Sequence, residues 1–150
     1  MTKKSFLLAI APLFILTLLV GCGPKVIKTD VVTGTIKVDG EPTGGVNVYF
    51  VPTTPEGSNG YAKTDDSGHY ELQTLLGAAN AGTTPGVYKV KFDYQIAVPD
   101  GTMEENGQTI EKFKSVSKLD PKWNDQETSG VEVEVKAGVA NVFDFEITSK

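Results

Sequence analysis

From Val31 onward, hydrophobic and polar positions alternate along most of the chain. Val32, Gly34, Ile36 and Val38 fall on one side of an extended segment, and Thr33, Thr35 and Lys37 fall on the other. This period of two is the mark of a half-buried strand. The pattern returns with Val46, Val48 and Phe50 set against Asn47, Tyr49 and Val51, and more briefly over Gly60–Thr64 and His69–Gln73. Tyr88, Val90, Phe92 and Tyr94 oppose Val87, Lys89, Lys91 and Asp93. Val131, Val133 and Val135 alternate strictly, and Phe143, Phe145 and Ile147 oppose Asp144 and Glu146. Turn signals separate these runs: Asp39-Gly40, the proline-containing loop from Pro52 to Asn59, Asp65-Asp66-Ser67-Gly68, and Ala137-Gly138. Leu75 to Pro85 reads as irregular, with a brief helical turn over Leu75–Ala79. Residues 95–129 form the longest polar stretch and read as one long loop, with 100–112 its mobile part. Short strands, regular turns and no amphipathic helix predict an all-β, antiparallel sandwich. Its core is expected from Val32, Ile36, Val38, Val46, Val48, Phe50, Tyr70, Leu72, Tyr88, Val90, Phe92, Val133, Val135, Phe143, Phe145 and Ile147.

The N-terminal pattern is different. Lys3 and Lys4 precede an apolar run from Phe6 to Val20, and Leu19-Val20-Gly21-Cys22 closes it. A run of about 15 residues is shorter than a bilayer span, which needs about 20, and Pro12 interrupts it. A charged start followed by an apolar segment of this length is an export signal. Leu-x-Gly-Cys at its end resembles the lipobox of bacterial lipoproteins. The resemblance implies acylation of the Cys22 thiol with diacylglycerol, cleavage between Gly21 and Cys22, and a membrane anchor at the new N-terminus. The expected organisation is a signal peptide over 1–21, a lipidated tether over 22–30 and a β domain over 31–150. Gly23 rather than aspartate after the cysteine implies export to the outer membrane of a two-membraned cell.

Composition narrows the function classes. The chain of 150 residues holds 14 Lys and Arg, all of them lysine, and 19 acids. Lys3 and Lys4 lie in the signal segment, so the mature part is still more acidic. Without a basic patch, nucleic acid is not an expected partner. Without arginine, the chain lacks the fork most used to grip phosphate and carboxylate. The single cysteine excludes an internal disulfide.

Several motifs resemble a known family. Val32-Thr33-Gly34-Thr35-Ile36, Gly40-Glu41-Pro42 and Val46-Asn47-Val48-Tyr49-Phe50 are similar to the start of carboxypeptidase regulatory-like domains. Thr64-Asp65-Asp66-Ser67-Gly68-His69-Tyr70 resembles their Thr-Asp-x-x-Gly-x-Tyr turn, and Pro85-Gly86-Val87-Tyr88-Lys89-Val90 their Pro-Gly-x-Tyr-x-Val strand. Lys122-Trp123-Asn124-Asp125, Thr128-Ser129-Gly130 and Phe143-Asp144-Phe145 look like the tail of small planctomycete lipoproteins that carry this domain. The resemblance spans about residues 31–148. It implies a seven-stranded, transthyretin-like (prealbumin-like or Ig-like) sandwich and no common reaction.

Candidate chemistry is sparse. His69 is the only histidine and follows Asp65, Asp66 and Ser67 on a tight turn. Neighbours on a strand point to opposite faces, so a Ser-His-Asp relay is not expected there. Transthyretin-like hydroxyisourate hydrolases rely on several histidines and an arginine, which this chain lacks. Asp65-Asp66-Ser67 offers too few oxygens for calcium and better suits a turn in which side chains bond the local amides, with Gly68 at positive φ. A Lys37–Asn141 isopeptide link is disfavoured because Lys37 faces outward by parity. Lys112, Lys114, Lys118 and Lys122 are interleaved with acids and read as a solvated stretch rather than a lipid-facing patch. Trp123, the only tryptophan, is either a partner contact or a plug at one end of the sandwich. No cofactor or metal is expected. The expectation is a non-enzymatic, lipid-anchored envelope module that is structural or binds an envelope protein or glycan. The alternative is a membrane-tethered hydrolase or ligand-processing protein.

Overall fold

In the computed structural model, residues 28–74 and 82–150 are described. Signal segment, cleavage point, Cys22 and the helical turn expected at Leu75–Ala79 lie outside these residues.

The protein is all-β. Its first strand, β1 (Val32–Val38), is the axis of one sheet. The Asp39-Gly40 dipeptide turns β1 into β2 (Glu41–Pro42), with φ of 53° and 88°. Two central residues at positive φ are what a two-residue hairpin of matching twist requires. The second sheet begins with β3 (Asn47–Pro52) and β4 (Gly60–Lys63). The chain then returns to β1 as β5 (His69–Glu71), with Thr35 opposite His69. It crosses back as β6 (Gln73–Thr74), which pairs with β4. β7 (Gly86–Asp93) lies beside β3, with Val48 opposite Phe92 and Phe50 opposite Val90. A long hairpin follows, β8 (Gln95–Glu105) and β9 (Gln108–Ser117), then a short 3-10 helix, η1 (Pro121–Asn124). β10 (Val131–Val135) completes the second sheet against β7, in the order β10-β7-β3-β4-β6. β11 (Asn141–Val142) and β12 (Phe145–Ile147) close the free edge of β1.

Several expectations are corrected here. Residues 95–129 are not a loop: β8, β9 and η1 occupy most of them. The pairing is also not wholly antiparallel, because β11 and β12 run parallel to β1. The expected strand at His69–Gln73 divides between the two sheets, and the last strand is interrupted at Phe143-Asp144.

That interruption has a local cause. Gly34 has no side chain, and a Cβ there would sit 1.8 Å from the Phe143 carbonyl oxygen. The carbonyl fills this space, where the Tyr70 hydroxyl donates to it over 2.8 Å. The next residue turns outward, and Asp144 Oδ1 accepts the Thr35 amide over 2.7 Å. A carboxylate thus replaces a main-chain acceptor in the ladder, so the Thr35 amide keeps a partner across the break.

The core lies where the inner faces of the sheets meet. Val32, Ile36, Tyr70 and Ile147 come from the first sheet; Val48, Phe50, Ala62, Tyr88, Val90, Phe92 and Val135 come from the second. Phe145 bridges them, with its ring 5.2 Å from Phe92 and 6.3 Å from Phe50. Every expected core residue is buried or packed against the buried cluster. Ala62 and Leu119 join it without having been anticipated.

Among the described residues, every buried side-chain polar atom has a hydrogen-bond partner. The Tyr88 hydroxyl donates to the Thr84 carbonyl at 2.7 Å and contacts the hydroxyls of Thr83 (3.1 Å) and Thr84 (2.8 Å). Thr83 Oγ1 donates to the Ser58 carbonyl, and the Ser58 amide donates back to Thr84 Oγ1. This network ties the Pro52–Asn59 loop to the start of β7. A buried polar group lacking such partners costs about 1–3 kcal/mol.

Candidate functional site

The outer face of the second sheet carries the side chains that face away from the core. The alternation that buries Val48 and Phe50 turns Asn47, Tyr49 and Val51 outward. On β7 the same alternation presents Lys89, Lys91 and Asp93. Register then decides which of these meet. Tyr49 stands opposite Tyr61 on β4 and Lys91 on β7. The two tyrosine rings are 5.3 Å apart and tilted by 47°. Tyr61 Oη donates to Asn47 Oδ1 over 3.0 Å, which fixes the orientation of the second ring. Lys91 Nζ lies 5.4 Å from the Tyr49 centroid, within cation–π range.

Two hollows flank this arrangement. One, of 290 Å³, is lined by Tyr49, Lys91, Phe92, Asp93, Gln95, Ser117 and Asn124. The other, of 330 Å³, is lined by Tyr49, Phe50, Val51, Asn59, Gly60 and Lys91. Tyr49 and Lys91 belong to both. Partial burial, then the neighbouring Tyr61 and Asp93, raises the Tyr49 phenol above its ordinary pKa. Its neutral hydroxyl is both donor and acceptor.

The wall of the first hollow is built by the segment after β7. Gln95 Nε2 donates to both Asp93 carboxylate oxygens at 3.2 Å. Asn124, on η1, donates to the Phe92 carbonyl at 3.0 Å and accepts the Ser117 hydroxyl at 3.5 Å. The root of the β8–β9 hairpin and η1 are thus stitched to the end of β7. Asp120 starts η1 by accepting the Lys122 amide at 3.0 Å, and Pro121 needs no amide partner.

Trp123 sits on η1. Its ring meets Phe92 edge-on at 5.9 Å, and its Nε1 donates to Thr148 Oγ1 at 3.1 Å. Lys122 Nζ covers the indole from 4.4 Å. The indole is half-buried and packed against the core, the position of a plug.

The other sequence candidates are not brought together. His69 is exposed on β5. Asp65 Oδ1 accepts the Ser67 hydroxyl (2.6 Å), the Ser67 amide (2.8 Å) and the His69 amide (3.1 Å). The Ser67 hydroxyl first, and then the two amides, hold its carboxyl below the usual range. Gly68 has the expected positive φ of 76°. Asn141 is buried in register with Val32, with its amide on the Lys136 and Val139 carbonyls; Lys37 lies at the other end of β1, beside Glu146. Lys114 pairs with Asp100 at 2.9 Å, and Lys112, Lys118 and Lys122 are exposed. Thr35, Lys37, Asp144, Phe145 and Glu146 line a further hollow of 430 Å³ on the first sheet, where Asp144 already serves the Thr35 amide.

Sequence reasoning placed Tyr49 and Lys91 on outward faces but did not single them out. An aromatic residue on the solvent side of an alternating strand was the available signal. That Tyr61 stands beside it follows only from the β3–β4 register. No known protein family, curated protein or solved structure matches the chain.

Proposed function

We propose that this chain is a non-enzymatic, lipid-anchored module of the cell envelope, tethered through Cys22 and binding an envelope glycan or protein on the outer face of its second sheet. The observation that carries the reading is the pair of hollows sharing Tyr49 and Lys91. Binding sites are concave, with a few convergent polar groups around an apolar surface, and this face has that make-up. His69 stands apart from it on the opposite sheet, and the Asp65 carboxylate is committed to its own turn. The Asp65–Ser67 contact closes the turn, and His69 joins it only through its main-chain amide.

The fold assigned with this reading is a prealbumin-like sandwich of the carboxypeptidase regulatory-like type. It is supported by rows β5, β1 and β11–β12 in one sheet and β10, β7, β3 and β4 in the other. The motifs behind the resemblance also have structural roles: the Asp65 turn, the Tyr88 hydroxyl on Thr84 and the Trp123 plug.

Two measurements test the proposal. Labelled fatty acid should enter the wild-type protein and not Cys22→Ser; incorporation into the variant refutes the tether. A photo-crosslinking residue at Gln95 should give an envelope adduct that is lost when the same label is placed at Lys37. Equal labelling from both faces, or from neither, refutes binding at the second sheet.

A further inference from the structure

The hollows around Tyr49 point to a ligand class, and we infer that this face binds an uncharged oligosaccharide, laid across Tyr49 with consecutive sugar units in the two hollows. The inference rests on the binding reading above and narrows it.

Three observations lead to it. The first is the aromatic pair. A pyranose ring presents axial C–H groups on its face and hydroxyls around its edge, so it matches an aromatic plane ringed by hydrogen-bonding side chains. Tyr49, which lines both hollows, provides the plane, and Tyr61 packs beside it at 5.3 Å with a tilt of 47°. Asn47 immobilises Tyr61 in advance, which lowers the ordering cost of binding. The second is the rim. Gln95, Ser117 and Asn124 on one side of Tyr49 and Asn59 on the other are amides and a hydroxyl, groups that both donate and accept. The third is charge. Lys91 and Asp93 line the same hollow, so its charges balance. Lys89, farther along β7, is already paired with Glu127. A site of balanced charge in a chain without arginine complements a neutral polyol, not a phosphate, uronate or anionic lipid surface. Because Tyr49 and Lys91 are shared, the hollows are consecutive, and a chain of sugars fits them better than a single unit.

The test is titration calorimetry of the protein, as the full chain from Cys22 onward, with soluble neutral hexose and N-acetylhexosamine oligosaccharides of increasing length and with a uronic-acid oligosaccharide as the charged comparator. At least one neutral series should bind, with affinity rising from the monosaccharide to the longer members, and the uronate should bind more weakly. Tyr49→Ala should weaken binding about tenfold or more, as loss of a central aromatic contact does. Tyr49→Phe keeps the ring and should retain most of the affinity; it also guards against misfolding of the alanine variant. His69→Ala, on the other sheet, should bind like wild type. Three results overturn the inference: no neutral oligosaccharide binds, the uronate binds best, or Tyr49→Ala and Tyr49→Phe both bind like wild type. If no sugar binds but Gln95 still crosslinks an envelope protein, the glycan assignment fails and the binding reading stands.

Discussion

The body of the molecule, antiparallel except where β11 and β12 join β1, and its wholly antiparallel β8–β9 hairpin use the same turn chemistry. Asp39-Gly40 turns β1 into β2 with φ of 53° and 88°; Asn106-Gly107 turns β8 into β9 with φ of 52° and 77°. They differ in what lies behind the ladder. Each sheet of the body has an inner face that is removed from water, and Phe50, Tyr88, Val90 and Phe92 there are fully buried. In the hairpin, every residue from Pro99 to Val116 is exposed, including Phe113 at 57%. A two-stranded hairpin alone is at best marginally stable in water. This one is held at its root, where Lys118 donates to the Tyr94 carbonyl at 2.9 Å and Gln95 and Ser117 meet Asp93 and Asn124. Turn chemistry and main-chain pairing therefore shape a strand, while burial of a face supplies its stability.

Mutations in the two regions should differ accordingly. Phe92→Ala removes a fully buried ring that contacts both Phe145 and Trp123. It should cost about 3–5 kcal/mol in denaturant unfolding. A loss below about 1 kcal/mol would place the core elsewhere. Trp123 comes next, because it is the point where the 95–129 segment rejoins the body. Being half-buried, it should contribute less than Phe92: Trp123→Ala should lower the melting temperature moderately, and the native indole emission should be blue-shifted. Fully hydrated emission together with wild-type melting would make Trp123 a free surface group, open to a partner. In the hairpin, Phe113→Ser should shift stability by no more than about 0.5 kcal/mol, the usual range for surface positions. A larger loss would show that the hairpin shares the body's cooperative unit.

The smallest effect concerns a turn. The Asp65 carboxyl has a lowered pKa in the folded state, chiefly through the Ser67 hydroxyl. A depressed carboxyl pKa stabilises the fold above the unfolded value of about 3.9, and that stability is lost as pH falls through the lower folded value. Melting curves of wild type and Asp65→Ala should therefore differ at neutral pH and converge in acid. A constant gap across the acid range would mean that the carboxylate is not the stabilising species.

The same contrast explains what was legible in the sequence. Alternation reports a face removed from water, and the body strands alternate cleanly, so Val32, Ile36, Val48, Phe50, Val90 and Phe92 could be assigned by parity. The hairpin has no such face. Its register also shifts between Pro99 and Thr102. Val98, opposite Lys114, and Met103, opposite Ile110, therefore share a face although they stand at positions of opposite parity. No period of two survives that shift. The available clue was Asn106-Gly107, the same kind of signal that identified the turn after β1. Parallel closure by β11 and β12 was hidden for another reason: strand periodicity carries no direction. The candidate site was half legible for a related reason. Parity turned Tyr49 and Lys91 outward, but the pairing that sets Tyr61 beside Tyr49 depends on how β3 and β4 align.

The parallel closure of β1 also fixes the order in which the molecule can be completed. Ile36 pairs with Phe145, and the Thr35 amide waits for Asp144, 109 residues further along the chain. Contacts of such long separation make folding slow, because the entropy of closing the loop must be overcome before the contact stabilises anything. The strand made first is thus the last to gain both neighbours. Until Asn141–Ile147 emerges, one edge of β1 presents unpaired amides and carbonyls, the condition under which strands pair with the wrong chain. A vectorially synthesised copy passes through this exposed state each time, and early release or truncation before Phe145 would leave it there.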